Sequence, residues 1–210
     1  MAGRAMSADD LGLADAATTE SAPDRLTARL LGAADTEGLI DVAYAVVDAP
    51  LGHLVVAATD VGVVRVSFDP PEVAADELSR RVSPRVLELP RRLDAVRREL
   101  DEYFAGRRQS FDVALDWRLV TGPFARRVLG HTAAIPFGRT STYADVAAAA
   151  GNPQASRATG NALGANPLCV VVPCHRVLRS GGGLGGYAGG LPAKRLLLDL
   201  EAPQTEPTLS

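Results

Sequence analysis

The sequence predicts an α+β protein with a small N-terminal three-stranded sheet packed on a helix, followed by a C-terminal helical, winged-helix-like (helix-turn-helix) domain. Three patterns carry this prediction. Residues 41–68 alternate Val- and Ala-rich segments with turn signals, and residues 89–104 repeat apolar side chains at helical spacing. Residues 142–165 form two helical segments joined by a tight turn at residues 151–153. At 210 residues, 47% of them hydrophobic, the chain can build a sizeable core.

The composition excludes several classes of protein. With 22% charged residues and two cysteines, the chain is neither disordered, collagen-like nor a disulfide scaffold. No apolar run approaches the roughly 18 residues of a membrane span, and the N-terminus lacks the apolar segment of a secretory signal. We therefore expect a cytoplasmic protein without a membrane partner.

The charge is unevenly distributed along the chain. The net charge is −3, but residues 1–117 carry 13 basic and 21 acidic side chains, whereas residues 118–201 carry 9 and 3. A basic second half is typical of a domain that meets an anionic partner, although uneven surface charge without a function explains it equally well.

The N-terminal part divides into a tail and a domain. Residues 1–40 are predicted to form a mobile acidic tail, in which residues 24–31 could form a short helix. Residues 41–117 form the first domain, in which a helix over residues 89–104 covers the sheet, since three strands alone are not stable. Its three strands are expected at residues 41–48, 54–59 and 63–68.

The C-terminal domain is expected over residues 118–203, with a second tail at residues 204–210. A first helix over residues 124–135 ends at a proline. Thr142 and Asp145 have the spacing of a capping box and predict the start of a second helix that runs through residue 150.

The third helix of this domain has an unusual composition. Asn152 as N-cap and Pro153 at the first position predict its start, and it runs to about residue 165. Small residues lower its surface, namely Ala155, Ser156, Ala158 and Gly160. Such a surface permits close packing on a neighbouring helix or close approach to a DNA groove. Beside the helix-turn-helix spacing and the basic charge balance, the DNA groove is the better interpretation.

Cys174 is the candidate nucleophile. The apolar run at residues 168–172, expected to be a buried strand, ends in the Pro-Cys-His-Arg sequence that contains Cys174 and His175. An imidazole beside a thiol can take its proton, and Glu201 at the end of the last helix is a plausible carboxylate to orient that imidazole. A structural role is the more frequent one for a lone cysteine, and Cys169 inside the apolar run is expected to be an inert core residue.

Neither a metal nor a cofactor is expected. The two cysteines and three histidines lack the spacing of a zinc site or of a Cys-x-x-Cys redox pair. The glycine-rich residues 181–190 contain a formal G-x-G-x-x-G, but no βαβ pattern surrounds it. The segment is either a mobile loop or a loop whose backbone amides and Tyr187 close over a planar ligand.

Taken together, the motifs of the second half resemble the O6-alkylguanine-DNA alkyltransferases, also called methylated-DNA–protein-cysteine methyltransferases. The resemblance is specific over residues 118–201, architectural over residues 41–117 and absent over residues 1–40. The matching segments follow the family's order, at residues 135–138, 143, 151–153, 157–158, 166–167, 173–177, 186–191 and 194–201.

The resemblance implies DNA repair by direct damage reversal. Cys174 would accept the alkyl group of O6-alkylguanine in duplex DNA, with O4-alkylthymine as a secondary substrate, in one irreversible turnover after base flipping. His175 would take the thiol proton through a water, and Glu201 would hold His175. Asn166 would stabilise the turn beside the cysteine, and Tyr143 would donate a hydrogen bond to guanine N3.

The resemblance also implies a base pocket and DNA contacts. Arg157 would fill the vacated base stack from the third helix in the minor groove, although a plain phosphate contact remains open. Lys194 would support the pocket loop. The pocket would be lined by Val177, Tyr187, Ala188 and Gly189, where Ala188 replaces a serine of some family members. The expected partner is double-stranded DNA carrying O6-alkylguanine, bound by a monomer, with assembly along the DNA left open.

Two alternatives belong to other functional classes. A non-catalytic sensor would bind alkylated DNA without accepting the alkyl group, and Cys174 argues against it because such relatives carry Trp at that position. A regulator whose thiol senses alkylation would need a second acceptor module, and residues 1–40 contain no cysteine to supply one.

Overall fold

The computed structural model describes residues 22–202, with side chains from residue 25 onward. Residues 1–21 of the expected N-terminal tail and the expected tail at residues 204–210 lie outside the described residues. Helix α1 (Ala22–Thr36) is longer than the short helix that residues 24–31 predict, and it belongs to a compact unit ending at Leu39. Residues from Ile40 onward form the second compact unit, which carries all the features described below.

The second unit begins with a four-stranded sheet, in the order β3-β2-β1-β4. Its strands are β1 (Val42–Ala49), β2 (Gly52–Ala58), β3 (Val63–Ser67) and β4 (Val86–Glu88). The first three form the antiparallel meander that the sequence predicts. The sheet has one strand more than the three that the sequence predicts. The additional strand, β4, pairs in parallel with β1. It was missed because its three residues are too few to show an alternating pattern in the sequence.

The predicted covering helix is present in two pieces. A short 3₁₀ turn (Pro90–Leu93) leads into helix α3 (Asp94–Phe104). Val96 and Leu100 of α3 are buried in the same core cluster as the sheet residues, so this helix does cover the sheet. Helix α2 (Pro71–Arg81) has no counterpart in the sequence prediction, because its buried residues amount to one short apolar stripe.

The C-terminal half is helical, which confirms the α+β class. Its elements are α4 (Pro123–Ala133), β5 (Ser141–Thr142), α5 (Tyr143–Ala149), α6 (Ser156–Gly164), β6 (Val177–Leu178) and α7 (Gly190–Glu201). Strands β5 and β6 pair in parallel. The predicted capping box is confirmed, since Asp145 N donates to the Thr142 hydroxyl at 3.1 Å. Along residues 22–202, no helix has the length and apolar character of a membrane span.

Helix α6 starts later than the sequence predicts. Asn152 does not cap the helix, because its side-chain oxygen accepts from Gln154 N at 3.3 Å and its carbonyl accepts from Ala155 N at 3.0 Å. The chain therefore makes a local turn, and Ala155 takes the N-cap position. Asn side chains compete with helices in this way by bonding to backbone groups two residues on.

Residues 168–172 are not the predicted strand. Their contact with the sheet is a single bridge between Leu168 and Val66, after which the chain turns, with Val171 N donating to Cys169 O at 2.8 Å. Val170 has a φ of 70°, which breaks any extended run. The apolar composition of residues 168–172 predicts burial, and the structure confirms that these residues are buried. Their backbone, however, forms a turn and not an extended strand.

The sheet and the helical half share one hydrophobic core. One cluster joins Leu54 of β2 and Leu100 of α3 to Val128 of α4, Leu163 of α6 and Leu197 of α7. The turn at residues 168–172 lies in this cluster. It contacts β3 through the bridge between Leu168 and Val66, directly before the chain reaches Cys174. Because this segment is packed from both halves of the unit, the thiol that follows it is held in a fixed place.

Candidate active site

Cys174 opens a short 3₁₀ helix (Cys174–Arg176) and lines the larger cavity of the site. Its side chain is buried, with 6% of the residue exposed, and the cavity has a volume of about 710 Å³. The thiol is thus shielded from bulk water but open to a ligand-sized space. Among the described residues, no group of three or more His, Cys, Asp or Glu side chains is placed to hold a metal ion.

The cavity lies between α5, α6 and the loop that precedes α7. Of the residues predicted from the sequence, its lining includes Tyr143, Ser156, Arg157, Gly160, Cys174, Tyr187 and Ala188. Arg179, Ser180 and Gly185 also line it and were missed. Val177 and Gly189, which were expected in the pocket, are not part of the lining. Val177 is buried beneath the loop, and Gly189 packs against the ring of Phe68.

Glu201 is the centre of a buried hydrogen-bond cluster behind Cys174. His175 Nε2 lies 2.9 Å from Oε1 of Glu201, and Arg176 donates from Nε to Oε2 and from Nη2 to Oε1, each at 2.8 Å. The Tyr103 hydroxyl donates to Oε1 at 2.5 Å, and Gly138 N donates to Oε2 at 3.3 Å. The structure therefore brings the predicted pair His175 and Glu201 together and adds three partners that the sequence analysis missed.

These contacts set the charge states of the cluster. Burial alone would raise the pKa of Glu201, but the hydrogen bonds from His175 and Arg176 outweigh it and lower the pKa to about 2. Burial lowers the pKa of His175, against the opposing effect of Glu201. At neutral pH the carboxylate is therefore ionised and the imidazole is neutral, with its proton on Nε2. Nδ1 is buried without a hydrogen-bond partner in the described part of the chain, which leaves a free acceptor.

The Cys174 thiol has hydrogen-bond donors that favour its ionised form. A hydrogen bond from Cys169 is the largest effect that lowers the pKa of Cys174; burial opposes it, and Asn166 adds to it. Asn166 Nδ2 lies 3.3 Å from Sγ of Cys174 and also donates to Val172 O at 3.0 Å. Asn166 Oδ1 accepts from Leu168 N at 3.0 Å, so one side chain fixes both the turn and the sulfur.

Lys194 holds the loop over the cavity. Its ammonium group is fully buried and donates to three backbone carbonyls, of Val177 at 2.7 Å, of Gly186 at 3.4 Å and of Leu184. Burial lowers the pKa of Lys194, while the nearby Cys174 raises it. The predicted supporting role of Lys194 thus has a geometric basis in a clamp between α7 and the loop.

The predicted DNA-contacting residues lie between the N-cap of α6 and the middle of the helix. Arg157 and Ala158 are exposed, whereas Ala155, Ser156 and Gly160 are half-buried. A methyl group at Gly160 would lie 3.8 Å from the ring of Tyr143, an ordinary contact distance, so this ring lies beside the helix. Arg157 is the exposed cation of this helix at the rim of the cavity.

Two residues that the sequence analysis missed are visible only in three dimensions. Tyr103 lies 98 residues before Glu201 and is fully buried on α3, next to Phe104. Gly185 has a φ of 69°, and a side chain there would collide with the Tyr143 hydroxyl. A polar aromatic in an apolar helix stripe is the one local signal that could have indicated Tyr103.

Gly185→Ala is expected to lower the free energy of unfolding by about 1 to 3 kcal/mol, because a left-handed backbone and a steric overlap both oppose the new methyl group. Chemical denaturation measures the change. Gly181→Ala is the matched control in the same loop, since a methyl group there meets no atom within 4 Å. Equal stability of the two variants would contradict a close fit between Gly185 and Tyr143.

The fold and the site define a class of protein before any comparison is made. A helix-turn-helix beside a ligand-sized cavity, with a thiol supported by an imidazole and a carboxylate, is the architecture of a DNA-binding protein with a nucleophilic cysteine.

Comparisons with known proteins give the family. Residues 123–203 match the family model described as 6-O-methylguanine DNA methyltransferase, DNA binding domain, and residues 42–117 match its ribonuclease-like domain. The chain belongs to this family. It is therefore a DNA-binding methyltransferase of DNA repair, which confirms the family that the sequence motifs indicate.

Individual relatives align over most of their length. A methylated-DNA–protein-cysteine methyltransferase of Mycolicibacterium paratuberculosis is 37% identical over 174 residues, which is 80% of this chain and 98% of the relative. One from Methanosarcina acetivorans is 37% identical over 75% of this chain and 97% of its own. The crystal structure of Mycobacterium tuberculosis OGT in complex with DNA is 35% identical, with a TM-score of 0.67 over 77% of this chain and 96% of that chain.

Proposed function

We propose that the chain reverses O6-alkylguanine damage in duplex DNA by moving the alkyl group onto Cys174. The position of the Cys174 sulfur in the wall of the 710 Å³ cavity carries this proposal. That volume lies within the range of about 300 to 1,000 Å³ typical of small-ligand pockets, so a single extruded base is a suitable occupant. The relatives named above act on methylated DNA, which supports this class of substrate.

The transfer is a direct displacement. His175 Nδ1, the free acceptor, takes the thiol proton through a water, and Glu201 stabilises the imidazolium that results. The Cys174 thiolate attacks the alkyl carbon, the new S–C bond forms, and the C–O6 bond breaks with its electron pair moving to the guanine. Tyr143, at the cavity wall, donates a hydrogen bond to guanine N3, so the departing base carries less negative charge.

The product explains why one protein molecule repairs one lesion. A thioether is not hydrolysed under physiological conditions, and the alkylated sulfur can no longer act as a nucleophile. Titration of a fixed amount of protein with excess duplex containing O6-methylguanine is expected to plateau at one repaired base per chain. Continued turnover would contradict the stoichiometric mechanism, and tight binding without repair would favour a damage sensor.

The base must leave the helix before it can reach Cys174. O6 of guanine is not accessible to the buried thiol while the base is stacked, and flipping a nucleotide costs a few kcal/mol. Helix α6 supplies the contact: its small residues Ser156, Ala158 and Gly160 allow close approach in the minor groove, and Arg157 at the cavity rim fills the vacated stack.

Arg157→Ala is expected to slow repair of duplex DNA by about 10- to 100-fold, since a few kcal/mol of flipping energy is no longer offset. The reaction with free O6-benzylguanine, which needs no flipping, is expected to change less than about threefold. Single-turnover kinetics with both substrates measure the two rates. Arg195→Ala removes the same charge from an exposed position on α7 and serves as the control. Equal losses with both substrates would contradict the flipping role.

A further inference from the structure

A second thiol, which the transfer mechanism does not use, lies beside the acceptor. Cys169 is buried, with 1% of the residue exposed, and its Sγ lies 3.5 Å from the backbone oxygen of Asn166. Cys174 Sγ lies 3.3 Å from Nδ2 of the same Asn166. Both cysteines are free. The two sulfur atoms therefore contact the same asparagine, one at its backbone oxygen and the other at its side-chain amide.

The folded turn at residues 168–172 creates this pair. In the extended strand that the sequence predicts, residues five positions apart would be separated by roughly 16 Å, at about 3.3 Å per residue. Val170, with its φ of 70°, and the hydrogen bond from Val171 N to Cys169 O at 2.8 Å turn the chain back on itself. Cys169 is thereby kept next to Asn166, whose side chain contacts the Cys174 sulfur.

Each of the two thiols belongs to a residue that borders a cavity. Cys174 lines the 710 Å³ cavity, and Cys169 lines a second cavity of about 340 Å³. Asn166 and Ala188 border this second cavity as well, and each cavity is larger than a molecule of hydrogen peroxide.

The two thiols differ in their readiness to ionise. The hydrogen bond between them is the largest effect on both: it lowers the pKa of Cys174 and raises the pKa of Cys169, and burial raises the latter further. Cys174 therefore ionises more readily than Cys169. A reactive thiolate next to a second thiol is the arrangement found where oxidation ends in a disulfide.

We propose that Cys174 and Cys169 form a reversible disulfide on reaction with a small hydroperoxide. The Cys174 sulfur attacks the peroxide oxygen and the O–O bond breaks. The leaving hydroxide or alkoxide takes up the proton of the Cys174 thiol, which gives water or an alcohol and a sulfenic acid on Cys174. The Cys169 sulfur then attacks that sulfenic sulfur, its proton leaves with the hydroxyl group as water, and the S–S bond forms. With hydrogen peroxide, two thiols are oxidised, one peroxide is reduced, and two waters are released.

The disulfide protects the acceptor from irreversible damage. A sulfenic acid without a neighbouring thiol is oxidised further to a sulfinic acid, which cellular thiol reductants do not restore. A disulfide stops the oxidation one step earlier, and a dithiol returns it to two thiols. The pair thus withdraws Cys174 from alkyl transfer during peroxide exposure and releases it afterwards.

The test treats the full chain with hydrogen peroxide in the absence of DNA and then with dithiothreitol. Wild-type protein is expected to lose about 2 Da and to give a cross-linked peptide containing Cys169 and Cys174, which dithiothreitol reverses. Cys169→Ser, which preserves size and a hydrogen-bond donor, is expected to gain about 32 Da on Cys174 instead, without recovery. Each protein's alkyl transfer after treatment is compared with its own untreated value.

The masses measured for the wild-type chain are sufficient to test the proposal, even if Cys169→Ser fails to fold. A gain of about 32 Da on wild-type Cys174 without a cross-link would overturn it. Equal recovery of transfer by wild-type protein and Cys169→Ser would overturn it as well. Because the mass readout needs no DNA, it is independent of the outcome of the alkyl-transfer experiments.

Discussion

Cys174→Ala is expected to abolish alkyl transfer, a loss of at least about 1,000-fold, because removing a catalytic nucleophile eliminates the covalent route altogether. Affinity for duplex DNA is expected to stay within about threefold of wild type, since the surface of α6 is untouched. Repair is measured as the loss of O6-methylguanine from a short duplex, and binding as fluorescence anisotropy of the same duplex.

Cys174→Ser separates chemistry from packing. Serine keeps the shape of the side chain but has a hydroxyl that remains protonated at neutral pH, so it is expected to be as inactive as alanine and close to wild type in stability. If both variants lose DNA binding together with transfer, Cys174 is a structural residue and the proposed role is wrong.

Glu201→Gln is expected to destabilise the protein by about 3 kcal/mol, because the charge of Arg176 stays buried without its partner. Arg176 donates twice to this carboxylate, and Tyr103 and His175 contact it as well. Transfer is expected to fall too, since the imidazole loses the group that fixes its proton on Nε2. Denaturant unfolding and single-turnover kinetics measure the two effects. Glu88→Gln, an exposed change of the same charge on β4, is the control.

The pH dependence of the free energy of unfolding is a second test of the role of Glu201. The pKa of Glu201 is lowered to about 2 in the folded chain, from 4.5 as an ordinary value. A carboxyl group with a lowered folded-state pKa stabilises the fold fully above its unfolded pKa, and this contribution is lost as the pH falls from about 4.5 towards 2. The free energy of unfolding of Glu201→Gln is expected to fall less steeply than that of the wild type as the pH falls through this range. An identical pH profile of both proteins would contradict the ionised state of Glu201.

Much of the fold could be predicted because its signals are local. The meander follows from Val-rich segments with turns between them, and helix α5 begins at the capping box of Thr142 and Asp145. The proposed acceptor, Cys174, also carries a local signal, because a Pro-Cys-His-Arg sequence places a base next to the thiol. Glu201 was only a plausible candidate at the end of the last helix, because its contact with His175 joins residues 26 positions apart.

The parts that could not be predicted depend on contacts between distant residues. Tyr103 meets Glu201 across 98 positions, and no pattern near either residue announces the hydrogen bond. The apolar run at residues 168–172 predicts burial correctly but the wrong backbone, because a left-handed valine is not encoded in hydrophobicity. That error concealed that Cys169 and Cys174 both contact Asn166.

The most direct measurement is mass spectrometry of the intact chain and of its peptides after mixing with a duplex that carries one O6-methylguanine. The predicted result is a gain of one methyl group per chain, about 14 Da, located on Cys174 and dependent on the lesion. A methyl group on another residue would contradict Cys174 as the acceptor. Tight binding to the damaged duplex with no change in mass would contradict alkyl transfer itself.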